Sequence, residues 1–255
     1  MARIFITGSA DGLGQLSAKS LADQGHQVVL HTRSSERGRY AKQQVPGAEH
    51  VISGDLSDIE ETKNVAYAAN ALGRFDAVIH NAGVYRALPK EIFMVNTIAT
   101  YVLTCLIGKP GRLIYLSSNM HLHGHANLEN FKKDSSRISY SDSKLHVVIL
   151  CMAVARKWRD VFSNAVDPGW VPTRMGGRGA PDDLQKGYET QTWLAVSNDS
   201  SAKVSGRYFH HRTDSRFNPQ AGDVVLQERF LSLCRDITGI PFPNSRLNEE
   251  LHTIP

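Results

Sequence analysis

The stretch Thr7-Gly8-Ser9-Ala10-Asp11-Gly12-Leu13-Gly14 follows an apolar segment, Arg3-Ile4-Phe5-Ile6, and precedes a pattern typical of a helix. Glycines at such a turn let the backbone approach a ligand closely, and the free N–H groups at the helix start attract a phosphate. The spacing T-G-x-x-x-G-x-G therefore predicts a pyrophosphate-binding turn. Its candidate residues are Thr7, Gly8, Gly12, Leu13 and Gly14. A tight turn without any ligand is the alternative explanation.

Strand-like and helix-like patterns alternate along the whole chain. The candidate strands are Arg3–Thr7, Gln27–His31, Glu49–Ser53, Phe75–His80, Arg112–Ser117, Phe162–Val166 and Gly206–Phe209. The candidate helices are Leu13–Gln24, Ser34–Gln44, Asp58–Ala71, Glu91–Ile107, Tyr140–Lys157 and Ala221–Asp236. Because several strands are apolar throughout, they suit a parallel sheet covered on both faces. The pattern predicts an α/β fold with a doubly wound, Rossmann-like parallel sheet of about seven strands and helices on both faces.

Composition limits the kind of protein that this chain can be. With 255 residues and no shift in composition, we expect one domain over residues 1–243 and a C-terminal tail over 244–255. The three cysteines, Cys105, Cys151 and Cys234, show no paired spacing, so we expect buried thiols and a cytoplasmic location. No signal peptide and no membrane span is indicated. The net charge of +4 is scattered, so nucleic-acid binding is not expected.

The end of the second candidate strand indicates which dinucleotide would bind. In doubly wound sheets an acidic residue here holds the adenosine 2′-hydroxyl, whereas an arginine accommodates a 2′-phosphate. This chain reads Leu30-His31-Thr32-Arg33-Ser34-Ser35, with no carboxylate before Glu36. Arg33 therefore predicts NADP(H) rather than NAD(H), with Arg37 as a secondary candidate. An ordinary surface arginine is the alternative interpretation of Arg33.

The pair Tyr140 and Lys144 carries the strongest chemical signal. Their spacing of four residues places the phenol and the ammonium on one face of a helix, which Ser139 and Asp142 could cap. A tyrosine has an ordinary pKa of about 10, and a neighbouring cation would lower that pKa. The phenol could then exchange a proton with an alcohol or carbonyl oxygen. The spacing alone also occurs in many helices without this role.

Together these motifs resemble the short-chain dehydrogenase/reductase family over roughly residues 2 to 175. The glycine-rich turn is similar to the family fingerprint, and Tyr140 and Lys144 match its catalytic pair. Three further segments match in the family's order: Asp55-Leu56, Asn81-Ala82-Gly83 and Asp167-Pro168-Gly169-Trp170-Val171-Pro172-Thr173. The resemblance implies that Asp55-Leu56 contacts adenine and that the other two segments line the cofactor. The implied cofactor-binding residues are Asp55, Leu56, Asn81, Ala82, Gly83, Tyr140, Lys144, Pro168, Gly169, Val171 and Thr173.

The resemblance also implies two further catalytic residues. Ser118, after the strand Arg112–Ser117, would hydrogen-bond the substrate oxygen, and Ser117 is the alternative. Asn96 lies in an apolar helix, where a buried amide requires partners. By resemblance, Asn96 holds a water in a proton relay with Lys144. The predicted catalytic set is therefore Tyr140, Lys144, Ser118 and Asn96.

Two segments depart from the family pattern. The insertion His121-Leu122-His123-Gly124-His125 is similar to one in retinol dehydrogenases and WW-domain oxidoreductases. Three alternating histidines could bind a metal, but no cysteine lies nearby, so we expect a rim loop and no metal site. In the family, the helix that contains Asn96 commonly joins two subunits. A homo-oligomer is therefore one expectation, although Gly108-Lys109-Pro110-Gly111 ends that helix early.

The sequence thus predicts an enzyme that transfers a hydride between NADP(H) and a small-molecule carbonyl or alcohol, with Tyr140 as general acid/base. Lys144 would lower the pKa of Tyr140 and hold the nicotinamide ribose. A reductase of carbon–carbon double bonds is the alternative enzyme. A catalytically silent nucleotide-sensing protein is a third possibility, but the presence of both Tyr140 and Lys144 disfavours it.

Overall fold

Strands and helices alternate in the computed structural model, which describes residues 1–243; the tail proposed for 244–255 lies outside the described residues. The strands are β1 (Arg3–Ile6), β2 (Gln27–Thr32), β3 (His50–Ser53), β4 (Ala77–His80), β5 (Arg112–Leu116), β6 (Phe162–Asp167), β7 (Arg207–His210) and β8 (Thr213–Asp214). The helices are α1 (Gly12–Asp23), α2 (Ser35–Gln44), α3 (Ile59–Ala71), α4 (Pro89–Ile92), α5 (Thr100–Leu106), α6 (Asn130–Lys133), α7 (Tyr140–Lys157), α8 (Leu184–Val196) and α9 (Val224–Thr238).

The strands form one sheet in the order β3-β2-β1-β4-β5-β6-β7-β8. All neighbours through β7 are parallel, and β8 pairs antiparallel with β7. The predicted α/β fold with a doubly wound parallel sheet is therefore confirmed. The sheet changes direction between β1 and β4, and in such folds ligands bind at that point, beside the carboxyl ends of the strands.

The sheet has one strand more than the sequence predicts. His211 and Arg212 join β7 to β8, and both have positive φ, 47° and 63°. Such two-residue hairpin turns usually contain glycine or asparagine, because other side chains are strained at positive φ. Since this turn has neither, nothing in the sequence indicated the short hairpin.

The core lies on both faces of the sheet, which explains why the strands are apolar throughout. Phe5 and Val29 pack on one face with residues of α3, α5 and α7. Ile4 and Leu30, their neighbours along β1 and β2, pack on the opposite face. Alternate residues of a strand point to opposite faces, so a doubly covered strand has no polar side.

The predicted helix Glu91–Ile107 is divided into three parts. It begins earlier, with α4, continues as a π-helical segment (Phe93–Ala99), and ends with α5. Asn96 lies in the π-helical segment and is buried. Single π-helical turns are frequent at functional sites because they redirect side chains. Hydrophobic periodicity does not distinguish them from ordinary helix.

Helix α8 was not predicted from the sequence. Gly187 lowers the helical propensity of this segment. The structure explains the glycine by close packing, because a Cβ at Gly187 would lie 2.7 Å from Cγ1 of Val171. The predicted helix Ala221–Asp236 instead begins at Val224, after a short 3₁₀ segment (Pro219–Gly222). The remaining predicted boundaries lie within two residues of the observed ones.

No helix within residues 1–243 is both long enough and apolar enough to cross a membrane.

Candidate active site

A cleft opens where the carboxyl ends of the central strands meet. Most residues proposed from the sequence line it: Gly8, Gly12, Leu13, Arg33, Asp55, Leu56, Asn81, Ala82, Gly83, Tyr140, Lys144, Pro168 and Thr173. Six others do not line it directly but lie in the same or adjoining segments: Thr7, Gly14, Asn96, Ser118, Gly169 and Val171. The fold thus brings segments that follow six strands, β1 to β6, to one place.

The glycine-rich turn fits tightly against the loop after β4. Gly8 has φ of +62°, and a Cβ there would lie 2.8 Å from Cα of Ala82. A Cβ at Gly14 would lie 2.5 Å from both Nδ2 of Asn81 and the carbonyl oxygen of Gly8. No other residue fits either position without a shift of the backbone. The N–H groups of Gly12 and Leu13, at the first positions of α1, have no partner inside the helix.

Thr7 and Asn81 hold these two loops together. Oγ1 of Thr7 accepts the N–H groups of Asn81 and Ala82, each at 3.0 Å. In return, Nδ2 of Asn81 donates to the carbonyl oxygens of Thr7 and Gly8, each at 2.9 Å. Both side chains therefore shape the floor of the cleft through the backbone.

His31 is a structural part of the cleft to which sequence reasoning gave no role. Its Nδ1 accepts the N–H of Gly8 at 3.1 Å, and its Nε2 donates to the carbonyl oxygen of Gly54 at 3.0 Å. Burial lowers the pKa of His31 to about 4, so the ring is neutral near pH 7. This neutral ring ties the glycine-rich turn to the loop after β3.

Arg33 lies at the end of β2, where a 2′-phosphate was expected, and its side chain is exposed. Its Nε donates to Oδ2 of Asp55 at 2.8 Å, and its Nη1 lies 3.8 Å from Oε1 of Glu91. Burial alone would raise the pKa of Asp55, but hydrogen bonds from Ser57 and Arg33 outweigh it and lower that pKa below its ordinary value. Sequence reasoning missed Glu91, which is 58 residues from Arg33 along the chain.

Helix α7 carries Tyr140 and Lys144, and its start is capped as the sequence predicts. Oγ of Ser139 accepts the N–H of Asp142 at 3.1 Å, and the Asp142 carboxylate accepts the N–H of Ser139 at 2.9 Å. This reciprocal cap fixes the first turn of the helix. Nζ of Lys144 is buried and donates to the carbonyl oxygen of Leu116 at 3.0 Å.

The pKa of Tyr140 lies above its ordinary value, although Lys144 is on the same face of α7. Nζ of Lys144 lies 5.5 Å from the centre of the Tyr140 ring, and one of its three N–H groups donates to the carbonyl oxygen of Leu116. Burial raises the pKa of Tyr140, and the neighbouring Tyr85 and Asp167 add to this, although the nearby hydroxyl of Ser118 opposes it. Burial also lowers the pKa of Lys144 to about 8, against the attraction of Asp167.

The two serines after β5 have different surroundings. Oγ of Ser117 is buried and donates to the carbonyl oxygen of Lys144 at 2.9 Å, so it supports α7. Ser118 is half-buried, its Oγ accepts the N–H of Met120 at 3.3 Å, and its hydroxyl is near enough to Tyr140 to oppose the rise in the pKa of that phenol. Ser118 is therefore the serine whose hydroxyl remains available beside the phenol, whereas that of Ser117 is bonded to α7.

Asn96 and Lys144 meet beside Gly83. A Cβ at Gly83 would lie 3.2 Å from Nζ of Lys144 and 3.4 Å from Oδ1 of Asn96. Asn96 is fully hydrogen-bonded: its Oδ1 accepts the N–H of Val84 at 2.8 Å, and its Nδ2 donates to the carbonyl of Val84 and to Oγ of Ser143, each at 3.0 Å. These bonds fix the loop after β4 against α7.

The segment after β6 closes the side of the cleft next to Tyr140. Pro168 and Thr173 line it. The buried Asp167 was given no separate role, yet its Oδ1 accepts the N–H of Gly169 at 3.0 Å, and its Oδ2 lies 3.4 Å from Nδ1 of His210. The side chain of Val171, in the same segment, is buried and packs against Gly187.

The histidine-rich insertion packs as a loop on the protein. Nδ1 of the buried His121 donates to the carbonyl oxygen of Ser118 at 2.7 Å, and its Nε2 accepts the N–H of Asn218 at 3.2 Å. His123 and His125 are exposed. Over residues 1–243, no three His, Cys, Asp or Glu side chains converge so that they could hold a metal ion. His121 thus supports the backbone of Ser118.

Comparison with known proteins shows which family this chain belongs to. Residues 2–183 match the family model described as short chain dehydrogenase. The chain belongs to this family. It is 43% identical to the uncharacterized oxidoreductase AN7799 of Emericella nidulans, over 95% of this chain and 99% of that protein. It is 39% identical to the short-chain dehydrogenase chyC of Penicillium rubens, over 95% of this chain and all of that protein.

Among solved structures, the fold is similar to a short-chain dehydrogenase from Shigella flexneri 2a strain 301 complexed with NADP. The TM-score is 0.63 at 21% identity, over 83% of this chain and 97% of that chain. The chain is therefore a short-chain dehydrogenase, an oxidoreductase that binds a nicotinamide cofactor and acts on a small-molecule substrate.

Proposed function

We propose that this short-chain dehydrogenase is an NADP(H)-dependent reductase of carbonyl compounds, with Tyr140 as the general acid/base. The observation that carries this proposal is that Tyr140, Lys144 and the glycine-rich turn all open on one cleft. A bound nicotinamide would supply or accept the hydride at the substrate carbon. In reduction, the phenol of Tyr140 gives its proton to the substrate oxygen, and the resulting phenolate is reprotonated from solvent.

The other side chains of the site support this proton transfer. The hydroxyl of Ser118 lies near the phenol of Tyr140, so it could hold the same substrate oxygen. Lys144 is positioned to hold a ribose hydroxyl and to stabilise the phenolate. Asn96 fixes Val84 and Ser143, so it acts by keeping the loop after β4 in place beside Lys144.

The residues of the cleft fit a dinucleotide. Gly8 and Gly14 leave no space for a Cβ, so backbone rather than side chains faces the cleft at the turn. The free N–H groups at the start of α1 suit a pyrophosphate. Asp55 and Leu56 lie farther along, where adenine would lie, and Pro168 and Thr173 lie at the nicotinamide end.

Wild-type protein is expected to bind NADPH at least about tenfold more tightly than NADH, because Arg33 can hold a 2′-phosphate with two hydrogen bonds. The variant Arg33→Ala should lose most of this difference, and a tenfold difference corresponds to about 1.4 kcal/mol. Titration of both nucleotides gives the dissociation constants. Equal affinity of the wild type for NADPH and NADH would contradict this preference.

The mouth of the cleft favours substrates with an apolar body. Five of the ten large apolar side chains exposed on residues 1–243 lie in loops that follow β4, β5 and β6: Tyr85, Leu88, Leu122, Trp170 and Met175. The ring of Tyr85 packs edge-on to that of Tyr140, with centres 4.7 Å apart. Nε1 of Trp170 donates to the carbonyl of Gly176, so the exposed part of this side chain is apolar. Exposed apolar groups gathered at one place commonly mark a binding site.

The function is tested by NADPH oxidation with a series of straight-chain aldehydes, cyclic ketones and enones. For the aldehydes, kcat/KM should rise about threefold to fourfold for each added methylene, because burial of one methylene contributes about 0.8 kcal/mol. Trp170→Ala should flatten this dependence, whereas Tyr67→Ala, which alters an exposed tyrosine on α3, should leave it unchanged. Reduction of the enones alone, at the carbon–carbon bond, would favour the alternative reductase.

A further inference from the structure

Two arginines lie at the adenosine end of the cleft, and each is paired with a carboxylate. Arg33 pairs with Asp55 at 2.8 Å, and Nη2 of Arg37 pairs with Oδ2 of Asp11 at 2.6 Å. Glu91, from α4, faces Arg33 at 3.8 Å. All five side chains line the cleft, so three carboxylates face two guanidinium groups. This end of the cleft is therefore not a simple cationic site for phosphate.

The three carboxylates differ in how firmly they are held. Oδ1 of Asp55 accepts both the N–H and the hydroxyl of Ser57, at 2.9 and 2.7 Å, so its orientation is fixed. Within residues 1–243, Glu91 accepts no hydrogen bond shorter than 3.5 Å, and Arg33 is its cationic neighbour. Of the two acids beside Arg33, Glu91 is thus the one that can give way to a ligand.

We propose that Glu91 determines how strongly this cleft binds a 2′-phosphate, because its carboxylate competes with that phosphate for the guanidinium of Arg33. Glu91 is then a specificity-determining residue for the cofactor, and it reaches the adenosine end of the cleft from α4. The inference rests on the proposed role of Arg33 as the 2′-phosphate partner.

The competition follows from charge and geometry. Carboxylate and phosphate oxygens use the same planar set of guanidinium N–H groups, so one displaces the other. The 2′-phosphate brings up to two negative charges, and a carboxylate nearby opposes it. Because the side chain of Arg33 is 63% exposed, solvent and salt screen both effects. Removal of the Glu91 carboxylate should therefore raise the affinity for NADPH by only a small factor. This factor should decrease as the salt concentration is raised.

A purely structural role for Glu91 predicts a different result. Glu91 lies in the first turn of α4, where a carboxylate favours the helix start. Loss of that effect would lower the stability of the protein and would act equally on NADPH and NADH. A change in the ratio of the two affinities requires that Glu91 acts on the 2′-phosphate, and the Arg33→Ala background shows whether it does so through Arg33.

The test is to measure dissociation constants of NADPH and NADH for wild type, Glu91→Gln, Arg33→Ala and the double variant. Glu91→Gln should bind NADPH about threefold to fivefold more tightly, with NADH unchanged within about twofold. In the Arg33→Ala background the same substitution should give less than about half of that gain. Glu60→Gln, which removes a carboxylate paired with Lys63 on α3, is the matched control and should change neither affinity.

The outcomes separate this inference from the proposed cofactor preference. Equal affinity of wild type for both nucleotides, with selective tightening of NADPH by Glu91→Gln, would refute the preference and uphold the role of Glu91. Unchanged or weaker NADPH binding by Glu91→Gln, with NADH binding intact as a sign of correct folding, would overturn the inference. So would an equal gain in both backgrounds, because Glu91 would then act on the phosphate without Arg33.

Discussion

Replacement of Tyr140 by phenylalanine is expected to lower kcat by about 10²–10⁴-fold, the usual contribution of a general acid/base, and to leave cofactor affinity within about twofold. The substitution removes one hydroxyl and keeps the ring, so the edge-on packing against Tyr85 is retained. The substrate oxygen loses its proton donor. Ser118 loses a neighbouring hydroxyl but stays half-exposed to solvent and keeps its hydrogen bond from the N–H of Met120.

Tyr85→Phe is the matched control, because it removes the neighbouring hydroxyl on the same kind of ring. Steady-state rates and nucleotide titrations of wild type and both variants test whether Tyr140 is the general acid/base. If Tyr140→Phe retains wild-type kcat, or if Tyr85→Phe loses as much, then Tyr140 is not the acid/base and the proposed reaction fails.

The raised pKa of Tyr140 bears on the direction of the reaction. Burial, with Tyr85 and Asp167 nearby, keeps the phenol protonated at and above pH 7. Reduction needs this protonated form, because the phenol gives its proton to the substrate oxygen. Oxidation needs the phenolate, which these surroundings disfavour. These surroundings therefore favour the protonated phenol, which is the form that the proposed reduction uses.

What the sequence predicted well depends on short-range geometry. The turn from Thr7 to Gly14 and the helix from Tyr140 to Lys157 each involve residues a few positions apart. Glycines required at a turn, a cap by Ser139 and a spacing of four on a helix follow from local backbone geometry. For the same reason, the alternation of apolar strands and helices predicted the sheet.

What the sequence did not predict depends on contacts between distant segments. The neighbour of Arg33 on α4 is Glu91, and only the folded sheet brings them together. The pKa of Tyr140 moved opposite to expectation, because burial and Asp167 are not visible in the spacing of Tyr140 and Lys144. The π-helical segment around Asn96 likewise has the same apolar pattern as an ordinary helix.

Replacement of Lys144 by methionine is expected to weaken cofactor binding and to raise the kinetic pKa of Tyr140, but to stabilise the fold. Cofactor affinity should fall about tenfold, because hydrogen bonds from a charged group contribute roughly 1.5–3 kcal/mol. The kinetic pKa of Tyr140 should rise, because a nearby positive charge is lost. The free energy of unfolding at pH 7 should instead increase by about 2 kcal/mol, because methionine fills similar space without a buried charge.

The sign of the stability effect follows from the pKa of Lys144. Burial lowers this pKa from 10.5 to about 8, so between these values the unfolded chain binds more protons than the folded protein. Stability of the wild type therefore rises with pH across this window, and the full penalty of the buried charge is present below about pH 8. The advantage of Lys144→Met should accordingly be largest at pH 7 and shrink toward pH 10.

Denaturant unfolding at several pH values, with nucleotide titrations, tests both effects. Lys132→Met is the matched control, because it removes an exposed ammonium that pairs with Asp236 and should change stability by less than about 0.5 kcal/mol. A Lys144→Met protein that is less stable than wild type at pH 7, or whose difference from wild type does not vary with pH, would show that the ammonium is not penalised by burial. In that case the Lys144 ammonium would not lower the free energy of unfolding, and Lys144 would stabilise the folded protein.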